Sequence, residues 1–392
     1  MHQAYIVDAV RTAGGRRNGR LSGWHPVDLA AQVLNALVDR NSVDPALVED
    51  VFMGCVSQIG EQAANVGRNA VLASKLPQSV PGTSIDRQCG SSQQAIHFAA
   101  QAVMSGVMDV VIAAGVESMS RVPMGSPMVL PRKADMGYYQ SPAIQERYGA
   151  QDFSQFVGAE MVAHKYGLHK EQLDAFALQS HQKGVAATQT GVFKNEIVPI
   201  AMRDAQGQVS GQWHTQDEGL RPDATLEAIA NVKLLQEGGV TTAANASQVC
   251  DGASGVLIVN ERGLKALGAQ PLARIHHMTV LGHDPVIMLE APIPATQRAL
   301  QKAGMRLTDI DLYEVNEAFA AVPLAWLQAL DADPAKLNVH GGAIALGHPL
   351  GASGAKLMAT LVHALHSRGQ RWGLQTMCEG GGMANVTILE RL

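Results

Sequence analysis

The stretch NVHGGAIALGHPLGASGAKLMATLVHALHSRG (Asn338 to Gly369) is a turn of small residues running into a helical pattern, and it has a counterpart upstream. SIDRQCGSSQQAIHFAAQAVMSG (Ser84 to Gly106) has the same plan. Two further pairs keep the offset. VEDVFMGCV (Val48 to Val56) matches DIDLYEVNEAF (Asp309 to Phe319) in its acidic start and apolar strand, and DVVIAAGVES (from Asp109) matches WGLQTMCEGGG (Trp372 to Gly382). All three pairs lie roughly 260 positions apart, as one duplicated unit requires.

Within each unit, strand and helix patterns alternate. AYIVDAV (Ala4 to Val10) reads as a strand and DLAAQVLNALVDR (Asp28 to Arg40) as a helix with an Asp at its start. This alternation predicts an α/β fold with sheets covered by helices. Residues 119–249 read differently. SMSRVPMGSPMVLPRKADMGYY is rich in Met, Pro and Gly without a period, and helical segments such as KEQLDAFALQSHQKGVAATQTG (Lys170 to Gly191) follow. The expected division is a first unit of 1–118 plus 250–270, an inserted loop domain of 119–249, and a second unit of 271–392. Long insertions of this kind tend to line sites.

The totals set bounds. With 392 residues, 46% hydrophobic and 17% charged, the chain has material for a large core and does not read as disordered. A formal charge of −5 gives no reason to expect nucleic acid as a partner. Cys55, Cys89, Cys250 and Cys378 form no CxxC pair, which suits a reducing compartment and free thiols. The start MHQAYIVDAVRT lacks a signal-peptide pattern, no apolar run reaches membrane-spanning length, and a soluble cytoplasmic protein is expected.

Cys89 stands just before an apolar helical run. With a helix beginning near Gly90, the helix N-terminus would favour a thiolate and lower the thiol's pKa. A buried packing cysteine is the plainer alternative. His348 lies between a glycine-rich turn and a helix, with Pro349 suited to a first helical position. There it is either a base or a satisfied structural histidine. Cys378 ends a strand before three glycines, whose N–H groups could meet a developing negative charge. A disulfide with Cys89 is its competing reading. Asn316-Glu317 closes another strand, either orienting a water or substrate or serving as an ordinary cap. GGRRNGR (Gly14 to Arg20) reads as a solvated loop. No P-loop, GxGxxG or HExxH occurs, so neither a nucleotide nor a metal is expected.

Cys89 in CGSS, then VNEAF, GGAIALGHPLGASG and CEGGG, in this order and spacing, resemble the thiolase family, and the resemblance runs from VDAVRTAGG to NVTILERL. It implies a five-layered αβαβα fold of two βαβαβαββ units with an inserted loop domain, working as a homodimer or homotetramer. It implies that Cys89 takes the acyl group, that His348 activates Cys89 and, with a water held by Asn316, stabilises an enolate oxygen, and that Cys378 moves the proton on the acetyl carbon. The N–H groups of Cys89 and Gly380 would form a second oxyanion hole. Arg221 in LRPDATLE and Ser247 in ANASQVCDGA match CoA-binding positions. CoA and acyl-CoA thioesters are then substrates, with no cofactor and with a hydratase-dehydrogenase as a possible partner.

Four departures from the family pattern bear on the acyl pocket: CGSSQQ after the nucleophile, SQFVGAE (Ser154 to Glu160), NVKLLQ (Asn231 to Gln236), and Glu379 in place of a more frequent apolar residue. They favour a degradative 3-ketoacyl-CoA thiolase with a medium, long or unusual acyl chain over an enzyme that forms acetoacetyl-CoA. A decarboxylating ketoacyl synthase would not need Cys378. A non-enzymatic lipid-binding or scaffold protein would not need Cys89, His348 and Cys378 together.

Overall fold

Strand β1 (Tyr5–Thr12) is buried at all but its first residue and sits mid-way across one continuous sheet. It belongs to a computed structural model that describes residues 2–149, 152–204 and 207–392. α1 (Pro26–Arg40), β2 (Asp50–Gly54), α2 (Val66–Leu72), β3 (Gly82–Ile85), α3 (Ser91–Ser105) and β4 (Val110–Ser118) follow in order. After the insertion, which carries α4 (Gln155–Lys165) and α5 (Lys170–Thr190), β5 (Cys250–Val259) returns to the sheet. The last third contributes β6 (Ala273–Gly282), α6 (Pro292–Ala303), β7 (Leu312–Val315), α7 (Ala321–Leu330), α8 (Ser353–Ser367), β8 (Trp372–Glu379) and β9 (Met383–Arg391).

The strands lie in the order β3-β2-β4-β5-β1-β6-β9-β8-β7. β2 runs parallel to β4, and β5 antiparallel to β4 and β1. In the other half β7 runs parallel to β8, and β9 antiparallel to β8 and β6. Order and sense are therefore the same twice over. A parallel bridge between Tyr313 and Leu337 even stands where β3 pairs with β2. Along the sheet, the two half-sheets are joined among the described residues by two ladder pairs, Tyr5 with Arg274 and Ile6 with Ala273.

Three cores define the layers. α1 and α2 cover the first half-sheet through Leu29, Leu34, Leu37, Val66 and Val71. α3 and α8 lie between the half-sheets, packed by Ala95, Ile96, Ala99, Met358 and Leu361. α6 and α7 cover the far side with Ala295, Ala299 and Trp326, joined there by α4 and α5 residues of the insertion. Helix, sheet, helix, sheet, helix makes five layers. β4 is buried at every residue, which is why VVIAAGVES reads as one apolar run rather than an alternation.

Glycines bring the two units' loops into contact. A Cβ on Gly115 would stand 2.3 Å from the Gly351 carbonyl oxygen, and one on Gly354 would stand 2.1 Å from the Gln93 nitrogen. Ser92 Oγ accepts the Ala355 N–H at 2.9 Å, so the first turns of α3 and α8 touch. Glu117, at the end of β4, accepts the N–H groups of Val56, Ser57 and Gly351 and the Gln62 amide. These contacts set the chain before α3 beside the chain before α8.

GGRRNGR exposes Arg16, Arg17, Asn18 and Arg20 as the expected solvated loop, but it is anchored. Gly15–Arg16 pairs with Asp251 and Cys250, and Glu218 accepts the N–H groups of Arg16 and Arg20. Glycine is needed there because the neighbours are close: a Gly15 Cβ would meet Leu21 at 2.8 Å.

Candidate active site

Cys89 lies two residues before α3, whose N-cap is Gly90. Gln88 precedes it in the left-handed region at φ 49°, a strained conformation for a non-glycine residue. That turn packs on the turn after β8. A Gly380 Cβ would meet Gln88 Oε1 at 2.8 Å, and a Gly90 Cβ would meet Glu379 Oε1 at 1.9 Å. The interlocked turns hold Cys378, the next-to-last residue of β8, near enough to Cys89 for a charge on Cys89 to raise the Cys378 pKa. All four cysteines are free thiols, which removes the disulfide reading, and Cys89 alone is not fully buried. Cys250 packs under Gly347, whose Cβ would stand 2.5 Å from its sulfur.

The thiol itself departs from expectation. Burial, with Glu379 adding to it, pushes Cys89 up to about 12. Cys89 stands outside the N-cap, and desolvation outweighs what the helix terminus offers. Cys378 is raised well above its ordinary value by burial.

His348 also stands earlier than expected. Pro349 precedes a short 3₁₀ turn (Leu350–Ala352), and α8 starts only at Ser353. His348 is held as an extended residue: its N–H donates to the Gln248 carbonyl at 3.1 Å, beside a parallel bridge to Val249. Its Nδ1 lies 2.5 Å from Ser353 Oγ, and that hydroxyl donates to the Pro349 carbonyl at 2.8 Å. With its hydrogen so used, Ser353 Oγ accepts from Nδ1–H, which leaves the lone pair on Nε2. Burial pushes His348 down to about 3, so the ring is neutral. The Asn316 amide nitrogen lies 3.4 Å from Nε2, and Asn316 Oδ1 has no hydrogen-bond partner among the described residues. Asn316 itself is fixed by its N–H on the Thr376 carbonyl at 3.0 Å.

Sequence reasoning passed over Ser353, although a serine four residues after Pro349 at a helix start is a recognisable back-bonding position. Ser353→Ala should free the ring to flip tautomer and lower turnover by about 10–100-fold across the neutral range. Steady-state rates between pH 6 and 9 check this, and Ser353→Thr should recover most of the loss.

Behind this loop lies a buried ion cluster that the sequence did not reveal. Arg11 donates to Glu196 at 2.6 Å and to both oxygens of Asp217 at 2.8 and 3.1 Å. Lys356 lies 3.7 Å from Asp217 and donates to the carbonyls of Leu346 and Gly347, the two residues before His348. The opposite charges lower the Asp217 pKa despite burial.

Of the two expected CoA positions, Ser247 is half-buried and donates its N–H to the Ala318 carbonyl, next to the Asn316 loop. Arg221 is exposed, and Gln248 ties the two segments by donating to the carbonyls of Gly219 and Ile344. The Cys89 and Gly380 N–H groups donate to no other residue in a turn or side-chain hydrogen bond among the described residues.

Residues 4–262 match the description of the thiolase N-terminal domain, and residues 269–391 that of the thiolase C-terminal domain. The chain belongs to the thiolase family. It is 51% identical to a steroid 3-ketoacyl-CoA thiolase of Mycobacterium tuberculosis, across all of this chain and 95% of the relative. It is 43% identical to a beta-ketoadipyl-CoA thiolase of Escherichia coli and 40% identical to a 3-ketoacyl-CoA thiolase of Citrobacter koseri, each covered in full by this thiolase. The acetyl-CoA acetyltransferase of Bacillus anthracis superposes with a TM-score of 0.90 at 37% identity, over 100% of this chain and 99% of that one. This thiolase is accordingly an acyltransferase, and its mixed α/β fold is the thiolase fold.

Proposed function

We infer that this thiolase cleaves a 3-ketoacyl-CoA with a bulky or long acyl chain, using CoA as the second substrate. Cys89 loses its proton to His348 Nε2 as its sulfur attacks the 3-keto carbon. The bond between the second and third carbons then breaks, and its electron pair becomes the enolate of acetyl-CoA. Asn316, through a water, and His348 stabilise the enolate oxygen, and Cys378 supplies the proton to carbon. The CoA thiol attacks the acyl-Cys89 thioester and releases a shortened acyl-CoA. Because thiol and imidazole both rest neutral, proton transfer belongs to the attack and does not precede it. The lone pair left on Nε2 by the Ser353 hydrogen bonds is the observation that carries this reading.

The acyl side is supported by a groove of about 450 Å³ whose lining mixes the apolar Val157, Met161 and Ile287 with the polar Glu160, His164, Lys165 and Gln236. Phe156, next to Val157 in the chain, meets the Phe319 ring of VNEAF edge-on at 5.7 Å. Gln236, which lines the groove, stands exposed where the family pattern carries a phenylalanine, and the steroid-named relative at 51% identity agrees with a large acyl group. Acetyl-CoA release from acetoacetyl-CoA, a linear ten-carbon 3-ketoacyl-CoA and a ring-bearing one decides. Highest kcat/KM for the ring-bearing or long substrate supports the reading, and highest kcat/KM for acetoacetyl-CoA replaces it with short-chain acetyl transfer, as the acetyltransferase neighbour suggests.

Arg221 and Ser247 are the CoA contacts in this reading, and the Cys89 and Gly380 N–H groups face the thioester oxygen. The unit boundaries 1–118 plus 250–270, 119–249 and 271–392 follow the repeated strand order. Exposed Met124, Met128, Val129, Leu130 and Met136 of the insertion support a homodimer or homotetramer. A cytoplasmic setting and a hydratase-dehydrogenase partner complete the proposal, and no described helix is long and apolar enough to cross a membrane.

A further inference from the structure

Glu379 is a fully buried carboxyl group on the last residue of β8, between Cys378 and Gly380. Neither of its oxygens has a hydrogen-bond partner among the described residues. A buried acid without a donor is costly as a carboxylate and tolerable only as the neutral acid. Its contact on the nucleophile side is Gly90. The three atoms nearest to a Cβ built there all belong to Glu379, at 1.9, 2.5 and 3.0 Å. The carboxyl therefore occupies the space that a residue-90 side chain would fill. The two departures from the family pattern, glycine after the nucleophile and glutamate in CEGGG, are thus one packed pair.

We propose that Glu379 is a charge gate on the nucleophile, a neutral acid that lets Cys89 release its proton and, once ionised against Gly90, a carboxylate that holds that proton on. It is a positioning residue, since it acts through Cys89, and the proposal rests on Cys89 being the nucleophile. The groups facing it are Arg87 and Asp86 from the turn before α3, Cys89 at the end of that turn, Cys378 on its own strand, and Glu117 across from Cys89. Met383 and Asn385 of β9 add no charge, and His97, nearly two turns into α3, is buried and neutral. Burial raises the acid to about 8, with the Arg87 charge and the Asn385 backbone N–H offsetting only part of it. An ionised Glu379 would therefore act with little to screen it, and it already counts among the groups that raise both thiols.

Alkylation of Cys89 by iodoacetamide, followed by peptide mass from pH 6 to 10, tests the gate in wild type and in Glu379→Gln. The two rates should coincide below pH 7 and diverge above pH 8, with the glutamine chain about tenfold faster at the alkaline end. Superimposed profiles, or a constant ratio at every pH, would overturn the proposal, the latter because a packing defect does not titrate. Should the glutamine chain fail to fold, Glu379→Met gives the same uncharged comparison. The packed pair has its own check: Gly90→Ala should slow turnover, and Glu379→Ala should relieve that loss, whereas no relief would mean that positions 90 and 379 do not press on each other. A Cys89→Ala chain that still turns over would sink the nucleophile assignment alone, because the alkylation profiles read the coupling of acid to thiol directly.

Discussion

Cys378→Ser should lose thiolytic cleavage by about 10²–10⁴-fold while keeping acyl exchange between CoA thioesters. The two reactions share Cys89 and His348, but only cleavage puts a proton on carbon. A hydroxyl at position 378 retains size and hydrogen bonding while its pKa lies far above that of a thiol. The substitution is gentle, since Cys378 sits opposite Ala384 in the β8–β9 ladder and is held by that backbone. Acetyl-CoA release from a 3-ketoacyl-CoA measures the first reaction. Scrambling of labelled CoA into a saturated acyl-CoA measures the second. Equal loss of both would make Cys378 structural, and retention of both would move the proton donor elsewhere.

Arg11→Met should destabilise the fold by about 3–5 kcal/mol, since it leaves Glu196 and Asp217 buried without their main partner. The guanidinium is fully buried, spans both carboxylates and lies 4.9 Å from the Phe193 ring centre. The urea midpoint of unfolding measures the effect, and its pH dependence identifies the cause. Asp217 is held below its ordinary 3.8 in the folded chain, so its contribution is present above that value and lost as pH falls through the lower folded value. In Arg11→Met the sign should reverse, with stability rising as acid neutralises the orphaned carboxylates. A loss that does not vary with pH would mean that packing, and not charge, dominates. Turnover should fall as well, because Asp217 partners Lys356, and Lys356 holds the two carbonyls before His348.

The duplicated plan was readable because β2, β4, β7 and β8 are short runs bounded by glycine or acidic residues, and because the two small-residue turns keep one offset. β5 was not read as a strand, because Asp251, Gly252, Ser254 and Gly255 interrupt its apolar pattern. Its glycine has a packing reason: a Gly255 Cβ would stand 2.9 Å from Val33 of α1. DIDLYEVNEAF forms its strand over Leu312–Val315, and the polar close expected at Asn316-Glu317 is where the chain leaves the ladder and Asn316 turns toward His348. The site residues were legible as types at strand ends and helix starts. Their protonation was not, because pKa depends on burial and on partners far apart in the chain. Arg11 and Asp217 show the same limit: they are separated by 206 positions, and in sequence each looks like an ordinary surface charge.

The thin seam between the half-sheets, two residue pairs, has a consequence for anyone wishing to cut the chain. The thiol belongs to one side of that seam, and the imidazole, the amide and the second thiol belong to the other. Severed at the exposed Gln270, the gene would yield two polypeptides that are each chemically mute. Turnover would return only on their reunion, so the catalyst doubles as a logic gate whose output requires both inputs.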